Sequence, residues 1–99
     1  MEQAPVLIIN RFRETASRLL EELYHNFKEQ TARLDRQTDE NVFQQLRGRY
    51  ERQLLQQLSG EAKELMYAYK RNDILHLQHL LTESIAYYLS EFRAKAGST

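Results

Sequence analysis

His76 and His79 lie three residues apart, and Glu83 follows four residues later. On a helix these steps put two imidazoles and a carboxylate on one face, a set able to hold a divalent metal. The direction of that face decides the matter. A second candidate is Arg47, which falls inside the apolar stripe of Phe43, Leu46 and Tyr50. A cation there needs a carboxylate, or it offers itself to an anion. The third is the aliphatic run Val6-Leu7-Ile8-Ile9. It covers every side of a helix, so one core does not hide all four and some are left for a partner.

The elements that position these groups are helices. Leu, Glu, Gln, Arg and Ala dominate, while glycine is 3 and proline 1. The alternation of a strand is absent after Ile9. The first helix starts near Pro5, a residue suited to that position. It carries Ile9, Phe12, Ala16, Leu19, Leu20, Leu23, Phe27, Thr31 and Leu34 in steps of three and four. The polar segment Asp35–Asn41 reads as a turn, with Thr38 or Asp39 as the next N-cap.

The second helix carries Phe43, Leu46, Tyr50, Leu54, Leu58, Ala62, Leu65 and Tyr69. The stripe stays in phase across Ser59-Gly60, which favours one long helix, although a break there would give four helices. Lys70-Arg71 suit its C-terminus, and Asn72-Asp73 a tight turn with a new cap. The third helix carries Ile74, Leu77, Leu81, Ile85, Tyr88, Leu89 and Phe92, fraying near Ala96-Gly97. The expected fold is all-α: an up-down-up antiparallel three-helix bundle in a single domain, residues 1–99. The echo of LLEELYHNFKE in LLQQLSGEAKE reflects shared helical spacing and is no duplication.

On this frame the histidines resolve. At about 100° per residue, His76, His79 and Glu83 fall nearly opposite the apolar stripe of the third helix. They face solvent and lack a fourth fixed ligand, so no metal or other cofactor is expected, and the trio is a weak surface candidate only. Arg47 has Glu51 one turn on as its nearest partner. Its level lies beside the C-terminal end of the third helix, where the guanidinium snorkels or caps the last carbonyls, with an anion site as the lesser alternative.

Up-down-up folding brings Val6, Leu7, Ile8 and Ile9 near Leu65, Met66, Tyr67, Tyr69, Ile74 and Leu75. That end reads either as an interface rich in tyrosine and methionine or as one covered by its own N-terminus. Leu80 and Tyr87 widen the apolar arc of the third helix beyond what one neighbour covers, as on a helix that is central to its bundle or packed against a second chain.

Composition narrows the function classes. Lys+Arg 14 balance Asp+Glu 14, so no net field draws the chain to nucleic acid or an anionic membrane. Arg11, Arg13 and Arg18, and Arg47, Arg49 and Arg52, are interleaved with acids, as on a surface laced with ion pairs. Cysteine is absent, which removes thiolate chemistry and fits the cytoplasm. Neither a membrane span nor a secretory leader is read, since Glu2 replaces a basic start and the aliphatic run is short.

Glu83-Ser84 followed by Tyr88 resembles the end of the third helix in the helical chorismate mutases, which are of this size. That resemblance covers a few residues and implies a site clamping a dianion with several Arg and Lys. Tyr88 stands where the family has a smaller polar group, and the sequence does not supply the full set of cations. The function expected is therefore non-enzymatic: a helical protein–protein interaction module, self-associating as a homodimer, in the cytoplasm. A bundle that binds a small ligand or metal is the alternative.

Overall fold

The computed structural model describes residues 5–35, 37–69 and 74–97. Among them are three helices, α1 (Pro5–Thr31), α2 (Glu40–Ala68) and α3 (Ile74–Gly97), and no strand. The helix end expected at Lys70-Arg71 and the turn at Asn72-Asp73 lie outside the described residues.

Each helix buries the stripe its spacing dictates. From α1 these are Phe12, Ala16, Leu20, Leu23 and Phe27; from α2, Phe43, Tyr50, Leu54, Leu58 and Ala62; from α3, Leu77, Leu81, Tyr88, Phe92 and Ala96. A fully buried Leu or Phe contributes about 1.5–3 kcal/mol over an exposed one, so the stripes dominate the fold's stability. All three pairs of helices pack together. Ser17 Oγ meets Tyr88 Oη at 3.2 Å, and Tyr24 packs edge-on to Phe92 with ring centres 6.5 Å apart. Hence α1 and α3 run parallel. Phe27, near the end of α1, meets Phe43 near the start of α2, so α2 runs the other way. This is the up-down-up bundle, drawn out to 55 × 18 × 18 Å.

Helix α1 stops at Thr31, three residues before the stripe's last apolar member, Leu34. Thr31 Oγ1 donates back to Phe27 O at 2.8 Å, and Leu34 N–H bonds Thr31 O at 3.1 Å. Leu34 still packs on the core from the loop. Asp39 holds the N-cap position of α2, but its carboxylate makes no bond to the helix. Its φ of −109° and ψ of 24° depart from the extended geometry of a capping residue. Asp39 Oδ2 instead accepts from Asp35 N at 3.1 Å, and Asp35 Oδ1 accepts from Gln37 N at 2.9 Å. The two carboxylates brace the turn from inside.

Helix α2 is continuous through Ser59-Gly60, the outcome the unbroken phase of its stripe favours, and the four-helix alternative is not formed. A Cβ built on Gly60 meets nothing within 4 Å. Gly60→Ala is therefore expected to stabilise the fold by about 1 kcal/mol through helix propensity. Thermal unfolding should show a rise of about 4–8 °C for a chain of this size. A fall would mean the helix is interrupted there.

Candidate interaction surface

The apolar residues proposed as an interface separate into three groups. Ile8, Ile9 and Tyr69 are core residues, each under a tenth exposed. This corrects their assignment to the surface. Ile8 and Ile9 sit about 100° apart on α1, and a helix packed against two neighbours hides both. Tyr69 leaves α2 in an extended conformation, its N–H bonded to Met66 O at 3.1 Å, and folds in beneath the helix end. Met66 is half-buried against the core.

Leu7, Tyr67 and Leu75 form the second group. They come from the ends of α1, α2 and α3 that meet at one end of the rod, and exposure runs from 56% at Leu7 to 81% at Tyr67. Leu7 lies in a shallow depression with Asn10, Arg11 and Glu14, all from α1. These side chains make a collar around the end of the rod and share no single plane. Any cover supplied by residues before Pro5 lies outside the described residues.

Val6, Leu80 and Tyr87 form the third group, on the face between α1 and α3. There a groove of about 340 Å³ opens. Its floor is Ile9, Ser84 and Tyr88, all buried. Its walls are Arg13 from α1 and Glu83 from α3, and Leu80 and Tyr87 form its lip. The Tyr87 ring stands edge-on to Tyr88 at 5.2 Å. Tyr88 is held by its hydroxyl, which donates to Arg13 O at 3.3 Å and meets Ser17 Oγ at 3.2 Å. Val6 is two turns before Arg13 and so on the same side of α1.

Further along, the seam between α1 and α3 is closed. Lys95 Nζ reaches Glu21 at 3.8 Å, and Tyr24 Oη donates to Lys95 O at 3.4 Å. Lys28 and Lys95 both lie over the Tyr24 ring, 5.6 and 5.4 Å from its centre. The groove is open where these cross-links are lacking.

Periodicity did not single out Arg13 or Ser84. It reports distance from the core, and both lie beside the core on the flank toward another helix. Of the cations a dianion clamp requires, the groove at Glu83, Ser84 and Tyr88 brings one, Arg13.

The polar candidates have local partners. His79 Nε2 lies 3.0 Å from Glu83, both largely exposed, and His76 is exposed as well. Among the described residues no group of three His, Cys, Asp or Glu is placed to hold a metal ion. His25 pairs with Glu29 at 3.1 Å on the surface of α1. Arg47 is one-third exposed and 3.8 Å from Glu51. Glu51, the more buried partner, also takes Arg93 of α3 at 3.2 Å. The carboxylate expected to meet Arg47 is there, and it ties α2 to α3 as well.

Among the described residues no helix is long and apolar enough to cross a membrane. Compared with known proteins, the chain matches no family model, no curated protein and no solved structure.

Exposed ion pairs of this kind contribute up to about 1 kcal/mol each. Arg47→Ala and Arg93→Ala should therefore each cost no more than that in urea unfolding. Glu51→Ala should cost more than either, since it leaves two arginines facing each other, and about 1 M salt should shrink the difference. Zinc should leave the thermal midpoint of the wild type unchanged; a rise would reveal a native metal site.

Proposed function

We propose that this protein is a non-catalytic helical interaction module that works by associating with protein, first of all with a second copy of itself. The observation that supports this is the distribution of exposed apolar side chains. Singly exposed leucines are ordinary on any surface. Here Val6, Leu7, Tyr67 and Leu75 collect at one end, and Leu80 and Tyr87 continue up one flank. Tyrosine is enriched at interface cores, and both Tyr67 and Tyr87 are exposed here.

Magnitudes show which part of the surface must be used. The end of the rod, at 18 × 18 Å, offers roughly 300 Å². A stable interface covers about 800 Å² on each partner, more than twice this area. The end alone does not hold a partner, and a flank must join it. The cytoplasm is the setting proposed, since a chain without cysteine needs no oxidising compartment.

Native mass from size exclusion with light scattering, over micromolar to millimolar protein, should show a monomer–dimer equilibrium. Val6→Glu combined with Tyr87→Glu should weaken assembly by about tenfold or more while circular dichroism stays unchanged. Both side chains are more than half exposed, so the fold does not depend on them. A chain that is monomeric at every concentration would sink the self-association reading.

A further inference from the structure

We infer that the second copy sits on the α1/α3 flank, in parallel orientation, with each Arg13 facing the partner's Glu83. This rests on the self-association reading and specifies its geometry.

Area selects a flank. A stable interface covers about 800 Å² on each partner, well beyond the end of the rod. A flank of 55 × 18 Å offers roughly 1,000 Å². The α1/α3 flank carries the groove together with Val6, Leu80 and Tyr87. The depression on α2 is lined by Arg49 and Arg52, which would face like charge in a contact between copies.

Charge then selects the orientation. Arg13 and Glu83 stand on opposite walls of the groove at one level of the rod. They do not pair with each other, and among the described residues no carboxylate pairs with Arg13. Glu83 meets only the exposed His79, at 3.0 Å. In a closed dimer the two surfaces are the same patch related by a two-fold axis. With the axis along the rod, α1 of one copy lies over α3 of the other, and Arg13 meets the partner's Glu83 twice. With the axis across the rod at this level, arginine meets arginine and glutamate meets glutamate. Like charges so placed oppose association, so complementarity requires the parallel arrangement. It also brings the two apolar ends side by side.

The test is a charge swap in the full chain, with dimer dissociation constants from sedimentation at low salt. Arg13→Glu and Glu83→Arg should each weaken the dimer by about tenfold or more, and the double variant should recover to within a few-fold of wild type. Circular dichroism of each variant checks the fold; both positions are exposed. Orientation is read with a spin label at Gly97→Cys, a clean site because cysteine is otherwise absent and a Cβ there meets nothing within 4 Å. Gly97 lies about 21 Å along the axis from Glu83 at 1.5 Å per residue. A parallel dimer should hold the labels within about 30 Å, whereas an antiparallel dimer centred on the groove separates them by about 40 Å. A dimer with the long distance, or one indifferent to the swaps, would overturn this geometry and leave self-association standing. A strict monomer would overturn both.

Discussion

The structure depends on Phe27 more than on any other side chain. It is fully buried near the end of α1, and its ring meets aromatic rings from both other helices. Phe43 is at 5.2 Å, Tyr50 at 5.9 Å and Phe92 at 5.7 Å, all edge-on. Edge-to-face contacts of this kind add to the burial of each ring and restrict their mutual angles. They set the height of α2 and α3 against α1 at one level. Helices of 24 to 29 residues then have their remaining register fixed by geometry.

That register explains the difference between the two halves of the rod. Near Phe27 the flank between α1 and α3 is laced by Tyr24, Lys28, Lys95 and Glu21. Toward the other end the core passes to Phe12, Leu58, Leu77 and Leu81, and the flank opens into the groove. Ser84 contributes to that opening, because a small buried side chain there leaves volume that a leucine would fill. Tyr88 spans the transition, its ring in the core and its hydroxyl bonded across to α1. Val6, Leu7, Tyr67 and Leu75 are exposed at this less cross-linked end, while Val42 and Leu55 are exposed elsewhere on α2.

Electrostatics plays a smaller, local part. The chain is neutral, so no long-range field acts on it. Among the described residues Glu51 is the one carboxylate joined to arginines on two helices, and it is the more buried partner in both pairs. The histidine–carboxylate pairs at His25 and His79 lie on single helices and stay in water. Charge in this protein therefore trims packing already decided by apolar burial.

The sequence by itself determined the all-α class, the buried stripes and the solvent-facing side of the histidines; it favoured a continuous α2 but left a break at Ser59-Gly60 open, which the structure closed. Each follows from a period of 3.6 residues and from phase, which are local properties. Ile8, Ile9 and Tyr69 were assigned to an outer surface because a one-dimensional pattern does not say how many neighbours a helix has, and here two neighbours hide a wider arc. Of Thr38 and Asp39, the two cap candidates, Asp39 takes the N-cap position, although its carboxylate bonds Asp35 N–H and not the helix. Arg13 and Ser84 stood out only in a basic cluster and in a short resemblance, and nothing joined them, since a groove belongs to the space between two helices 71 residues apart in sequence. Only the tertiary structure decided which flank stays open, because that depends on the relative height and rotation of packed helices, and neither is written in the periodicity of any one of them.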